Sequence, residues 1–235
     1  MKFWTAAAAA TAFALAACSQ PAPAPEPAET AVVVNAPSGT YQLDPHHTTV
    51  TVRAKHFGLS NYALRFNGVT GALNFNAEDP AQSTVEATVA VATLDTPYSG
   101  DRNFDAELQN SEWLDSAQFP AATFRSTAVE RTGPNTARVT GDLTIRNVTH
   151  PITLDVRYNA SHASHPMGFP TSLIGFSARG TLLRSQYGLN VLLPSAPDAA
   201  DGVADDIELL IEAEFTKPAD QAATPAPAQP AEPVN

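Results

Sequence analysis

The histidines are the residues of this sequence best suited to coordinate a metal ion, and the chain contains six of them. His46, His47 and His56 lie near the start of one predicted strand, and His162 and His165 share a loop rich in Gly, Pro and Ser. Imidazole is a common zinc ligand, but histidines in loops and at strand edges more often contact solvent. We therefore expect no bound metal, and histidine metal binding is kept as the weaker alternative.

A run of carboxylates near the end of the predicted domain is the second group that could hold a cation. It contains no basic residue and consists of Asp198, Asp201, Asp205, Asp206, Glu208, Glu212 and Glu214. The run lacks the spacing of an EF-hand loop. Its three glutamates fall on the polar face of a predicted strand, so we interpret the run as a solvated edge that discourages aggregation.

The remaining side chains give no sign of catalysis. The sequence has no nucleophile elbow, no glycine-rich phosphate loop and no HExxH zinc helix. With 13 Lys and Arg against 24 Asp and Glu, the formal net charge is −11 and the pI is about 4.8. That charge has the wrong sign for a surface that binds nucleic acid or anionic lipid through basic side chains. We predict a protein that is not an enzyme, needs no cofactor and binds no nucleic acid.

The amino-terminal stretch supplies a different route to a membrane. Met1 and Lys2 precede an apolar run over 3–14, which is typical of an export signal and too short to span a bilayer. The run ends in Leu15-Ala16-Ala17 followed by Cys18, the one cysteine of the chain. This ending resembles the lipobox of bacterial lipoproteins, which implies that Cys18 becomes the acylated first residue of an exported protein. An ordinary secretory signal with a leftover thiol is the alternative.

Ser19 after the cysteine resembles the sorting pattern of Gram-negative lipoproteins, which implies an anchor in the periplasmic face of the outer membrane. Prolines crowd both ends of the chain and spare the middle. We therefore predict a signal peptide over 1–17, a lipidated cysteine and Pro-rich tether over 18–38, one folded domain over 39–216, and a disordered Pro/Ala-rich tail over 217–235.

Within the predicted domain, apolar and polar residues alternate with a period of two, which indicates strands that bury one face. The pattern is clearest from Thr84 to Val91, Thr136 to Arg146, Ile152 to Tyr158 and Ile207 to Phe215. It is weaker over 40–43, 49–56, 64–66, 72–75, 123–130 and 173–183. The one helix that the spacing predicts runs from Asp101, as its N-cap, to Leu114. About ten strands of this kind close into a barrel or split into a sandwich, and periodicity alone does not choose between them.

An ordered series of short motifs runs through the domain. It begins with Leu43-Asp44-Pro45, His47, Val52-Arg53 and His56-Phe57-Gly58. It continues through Arg65-Phe66, Leu94-Asp95-Thr96, Asp105-Ala106, Phe119-Pro120, Thr123-Phe124-Arg125-Ser126, Gly141-Asp142-Leu143-Thr144-Ile145 and Val148-Thr149 with Pro151. Arg184-Ser185, Gly188-Leu189 and the strand from Asp206 to Phe215 complete it. This series resembles the YceI-like lipid and polyisoprenoid-binding family. The resemblance implies an all-β fold, an extended lipocalin-like antiparallel barrel with one short helix, and a long apolar tunnel for an isoprenoid or similar lipid.

Three positions depart from the family pattern. Leu64 replaces a common Gly, Glu107 stands where a His is usual, and His150 stands where Lys or Arg is more frequent. The residues at positions 64 and 107 could alter the pocket mouth or a turn there. Membership of the family would therefore not guarantee that this protein binds the family's usual ligand.

By strand parity, the inward residues of such a barrel would contact a ligand, and an eight-stranded barrel is just wide enough to hold one. The candidates are Phe66, Leu73, Phe75, Val89, Val91, Phe124, Phe176, Leu209 and Ile211, with Leu108 and Trp113 from the helix near a mouth. The alternative is that they form a filled core, in which case the protein is an envelope interaction module with partners on its outer face. The expected partners are a long-chain lipid and the membrane that holds the acyl anchor, and a homodimer is left open.

Overall fold

A computed structural model describes residues 33–218 of the chain. Nearly all of its regular structure is antiparallel β-sheet. The strands are β1 (Gly39–Leu43), β2 (Thr49–His56), β3 (Ser60–Phe66), β4 (Val69–Phe75), β5 (Thr84–Ala90), β6 (Leu94–Asp95), β7 (Ala121–Arg131), β8 (Thr136–Ile145), β9 (Val148–His162), β10 (Thr171–Leu183) and β11 (Val203–Pro218). The ten predicted strands are confirmed, and the two-residue β6 is an addition because it is too short to show a period.

The sheet closes on itself into an eight-stranded barrel. Its neighbours follow the order β1, β4, β5, β7, β8, β9, β10 and β11, and β11 returns to β1 through the pairs Gln42↔Thr216 and Leu43↔Phe215. The first half of β11 pairs instead with β2, followed by β3 and β6, so these three strands prolong the wall. The prediction of an extended antiparallel barrel with one short helix is confirmed.

The barrel has two distinct ends. At the end called here the helix end, β2 finishes at His56 and the only α-helix among residues 33–218, α1 (Phe104–Leu108), lies between β6 and β7 in the chain. At the opposite end, called the loop end, residues 163–170 join β9 to β10. No helix within 33–218 is both long enough and apolar enough to cross a membrane.

The predicted helix from Asp101 to Leu114 is wrong in its length and in its cap. The N-cap is Asn103, whose Oδ1 accepts a hydrogen bond from the Ala106 N–H at 3.0 Å. The helix ends at Leu108 because Asn110 turns the chain: its Oδ1 accepts from the Glu112 N–H at 2.8 Å, a local bond that competes with helix continuation. Trp113 therefore lies in a turn rather than on the helix.

At the loop end, a cluster of buried side chains packs together inside the barrel. The residues that pack together there are Ala36, Tyr41, Leu43, Val69, Leu73, Phe75, Ile174 and Phe215. The segment before β1 belongs to this cluster, because the N–H groups of Asn35 and Ala36 donate to Ser161 Oγ on β9 at 2.8 and 2.9 Å. The chain thus enters the barrel across its loop end.

Candidate functional site: the barrel cavity

The barrel interior holds a cavity of about 1080 Å³. Ligand pockets in proteins usually measure about 300–1,000 Å³, so the space suits a substantial small molecule. Its wall is mainly the inward row of each strand. On β5, for example, Val85, Ala87 and Val89 line the cavity and are half-buried, whereas Glu86 and Thr88 are exposed and do not line it. The half-burial of apolar side chains follows from their facing a hollow rather than a packed core.

All eleven residues predicted to contact a ligand lie on the cavity wall. They are Phe66, Leu73, Phe75, Val89, Val91, Leu108, Trp113, Phe124, Phe176, Leu209 and Ile211. Strand parity assigned nine of them to the inner face, and eight of these lie on strands. The strand predicted to end at Val91 stops at Ala90, so Val91 reaches the wall from the 3-10 turn that follows β5. The chain after β6 brings the other two to the helix end. Ligand contact at these positions remains a prediction.

Polar side chains meet the cavity at both of its ends and were absent from the predicted set. At the helix end they are His56, Tyr62, Tyr98, Arg102, Glu107 and Arg184, and at the loop end they include Glu78, Arg131 and Asn135. The Arg102 guanidinium lies 5.6 Å from the centre of the Tyr98 ring and 5.1 Å from that of Phe104, and its NH2 contacts Glu107 Oε2 at 2.8 Å. In sequence, Tyr98, Arg102 and Glu107 look like ordinary polar loop residues, because nothing local indicates that 98–107 folds onto the barrel mouth.

The three departures from the family pattern have different positions. Leu64 and Glu107 both line the cavity, so both can influence what enters it. His150 does not line it: its ring packs edge-on against Tyr187 at 5.3 Å, and its Nε2 lies 3.2 Å from the carbonyl oxygen of Gln186. His150 therefore packs against neighbouring residues at the start of β9 and is not part of the cavity wall.

The histidines predicted as alternative metal ligands do not converge. Within residues 33–218, the group whose ligand atoms could share an ion is Asp44, His47 and Glu214, with all atoms within 4.8 Å of one another. It contains one histidine, and His47 Nδ1 already lies 2.9 Å from Asp44 Oδ2. The acidic run also has protein partners, since Glu208 pairs with Arg53 at 2.9 Å and Ser185 Oγ donates to Asp205 at 2.7 Å.

The Asp44–His47 pair gives a testable pKa. The hydrogen bond to Asp44 raises the pKa of His47, with the charge of Glu214 acting in the same direction. Burial acts to raise the pKa of Asp44, but the hydrogen bonds from His47 and the His46 N–H outweigh it, so that pKa is lowered. Because the folded-state pKa of His47 is raised, its stabilising effect is present at low pH and is lost as the pH rises through that pKa. Asp44→Asn should move the NMR titration of His47 to lower pH, whereas Asp95→Asn should leave it in place.

A closed antiparallel barrel with an apolar cavity defines a lipocalin-like class of binding protein. The model of the YceI-like domain matches residues 41–215. The chain belongs to the YceI-like family. Protein YceI of Escherichia coli is 29% identical over 169 residues, covering 71% of this chain and 85% of that protein. A relative from Pseudomonas aeruginosa is 29% identical over 181 residues, covering 76% and 87%.

Solved structures share the fold. The crystal structure of Burkholderia cenocepacia BcnA superimposes with a TM-score of 0.61 at 23% identity, covering 73% of this chain and 98% of that one. A polyisoprenoid-binding domain from Saccharophagus degradans gives a TM-score of 0.50 at 11% identity and covers 76% and 98%. At these identities the likeness establishes the barrel architecture alone.

The predicted signal peptide, the acylation of Cys18 and most of the tether and of the tail lie outside the described residues. Those parts of the chain remain predictions from sequence.

Proposed function

We propose that this protein binds a long-chain amphiphile, such as an isoprenoid quinone or a polyprenyl lipid, inside the barrel and acts without catalysis as its carrier or reservoir. The observation that carries the proposal is the continuous apolar cavity of about 1080 Å³. Each CH₂ group moved from water into such a space gains about 0.8 kcal/mol, so a long tail supplies ample binding energy. The alternative of a filled barrel is disfavoured by the same cavity.

The cellular setting is part of the proposal. An acyl anchor on Cys18 would hold the protein at the periplasmic face of the outer membrane, and the tether would let the barrel stand off the bilayer. The described chain enters at the loop end, next to Ser161, which leaves the helix end away from the tether. The Saccharophagus degradans domain described as polyisoprenoid-binding supports the ligand class, because it shares the barrel.

Native mass spectrometry of the full chain, purified in detergent that is removed in the gas phase, tests this function. We expect a stoichiometric lipid that stays bound and is identified as an isoprenoid after extraction. The same spectrum gives the oligomeric state. A protein that carries no lipid, and takes up none when offered quinones, polyprenyl phosphates or fatty acids, would contradict the proposal and direct attention to the outer face.

A further inference from the structure

One hydroxyl on the cavity wall lacks a hydrogen-bond partner. Tyr62 lines the cavity from β3, and its Oη is buried with no donor or acceptor in reach within residues 33–218. The ring lies between two aromatic neighbours, with its centroid 6.1 Å from that of Phe104 and 6.5 Å from that of His56. A buried hydroxyl without a hydrogen-bond partner costs free energy, whereas one that donates to an acceptor does not. Binding of a ligand that brings an acceptor to this hydroxyl is therefore favoured.

The surroundings of Tyr62 select the kind of acceptor. Two guanidiniums line the cavity at this end, those of Arg102 and Arg184, and both already have partners. Arg102 pairs with Glu107 at 2.8 Å, and Arg184 donates to four backbone carbonyls. A phosphate head carries nearly two negative charges at neutral pH, and neither guanidinium is free to balance them. An uncharged oxygen needs no such balance, and the rings of Tyr98 and Phe104 provide apolar flat surfaces beside it.

The loop end supports one orientation of the ligand. Tyr41 and Ile174 are almost completely buried there, and Ala36 from the entering segment packs against them. The wall at that end carries its own polar residues, among them Glu78, Arg131 and Asn135, but Leu73, Phe75 and Phe215 give the tail an apolar surface. The aromatic rings and the Tyr62 hydroxyl assign the head to the helix end. Pockets of this kind use a few polar groups to fix the orientation of a mainly apolar ligand.

We propose that the Tyr62 hydroxyl donates a hydrogen bond to an uncharged oxygen, such as a quinone carbonyl, on the head of an amphiphile bound with its head at the helix end. This inference rests on the proposed function, because it assigns the head of the ligand that the cavity binds. The hydroxyl is shielded from water, so a neighbouring side chain must move before the head reaches it.

The test uses the full chain after removal of bound lipid, with three ligands that share a geranylgeranyl tail: a quinone, a monophosphate and a hydrocarbon without a head. Tyr62→Phe keeps the ring and removes the hydroxyl. We expect it to weaken quinone binding about 2- to 12-fold, the range that one net hydrogen bond supplies. Hydrocarbon affinity should stay unchanged, and wild-type protein should bind the quinone more tightly than the monophosphate.

Tyr187→Phe is the matched control. The Tyr187 hydroxyl is also buried without a partner within the described chain, but this residue does not line the cavity. Both substitutions should raise the melting temperature of the lipid-free protein, because each removes an unsatisfied polar group, and only Tyr62→Phe should affect the quinone.

Two results would overturn the inference: unchanged quinone affinity in Tyr62→Phe, or an equal loss for quinone and hydrocarbon, which would indicate a packing role. Tighter binding of the monophosphate than of the quinone by the wild type would also reject it. If wild-type protein binds none of the three ligands, the proposed function itself fails, so the two failures are distinguishable.

Discussion

Replacing Ala87 by tryptophan is expected to abolish lipid loading while the barrel stays folded. Ala87 lies midway along β5 with its side chain on the cavity wall. Its cross-strand neighbours are Gly71, which has no side chain, and Phe124. The indole can therefore extend into the cavity without crowding a packed layer, and it occupies the path of the tail. We expect at least a roughly 100-fold loss of affinity, because displaced tail atoms lose about 0.8 kcal/mol per CH₂.

Thr88→Trp is the control for this substitution. Thr88 is the next residue of the same strand, is exposed, and faces outward beside Thr70 and Thr123. The Thr88→Trp substitution adds the same indole to the outer face of the barrel. The affinities for the quinone and for the hydrocarbon should therefore stay within about twofold of wild type. Circular dichroism and thermal melting check that both variants fold, and native mass spectrometry measures loading. Wild-type loading in a folded Ala87→Trp variant would place the ligand outside the barrel.

The strand faces were predictable because alternation is a local property. Each inward row of the barrel repeats every second residue, so parity within one strand assigns a side chain to the wall. Val85 and Val89 illustrate this, and so does Leu209 on a strand more than a hundred residues later. Parity does not say whether the inner face is packed or hollow. That depends on how many strands close the barrel, which here is decided by pairs such as Gln42↔Thr216.

The residues at the mouth were not predictable for a related reason. Arg102 and Glu107 reach the cavity because the chain after β6 folds across the helix end, and this placement depends on tertiary packing rather than on local spacing. The predicted helix failed at Asn110 because side-chain hydrogen bonding ended it earlier than apolar spacing suggested. Short polar residues such as Asn110 thus decided where the helix ended, because the spacing of apolar residues in this segment was only weakly helical.

Because the barrel is hollow, its buried side chains pack in two clusters towards its two ends. One buried cluster surrounds Tyr41 and Ile174 at the loop end, and a second surrounds Tyr187 with Leu182 and Ile207 towards the helix end. A hollow interior gives up contacts that a filled core would make. Stability must then come from strand pairing, from these end clusters and from polar ties between loops.

Arg184 provides such a tie, and its removal should have the largest effect on stability. The side chain is only 5% exposed, and it donates to four backbone carbonyls, those of Leu189, Val191, Val203 and Ala204, at 2.5 to 2.9 Å. Burial lowers the pKa of Arg184, with the charge of Asp205 opposing it, but a guanidinium remains charged at neutral pH. Arg184→Met leaves those carbonyls without their donor, which we expect to cost about 3–5 kcal/mol of folding free energy.

That loss corresponds to a fall in melting temperature of about 6–20 °C for a domain of this size. Arg184→Lys should recover little of it, because one ammonium cannot reproduce the planar array of donors. Arg65→Met is the matched control: Arg65 pairs with Asp95 at 3.0 Å, and both side chains are about half exposed, so its loss should stay within about 1 kcal/mol. Equal melting temperatures for the Arg184 and Arg65 variants would show that the loop over 189–204 is held by other contacts. Since Leu189, Leu192 and Val203 line the cavity from this loop, a destabilised Arg184→Met protein should also release bound lipid faster than Arg65→Met.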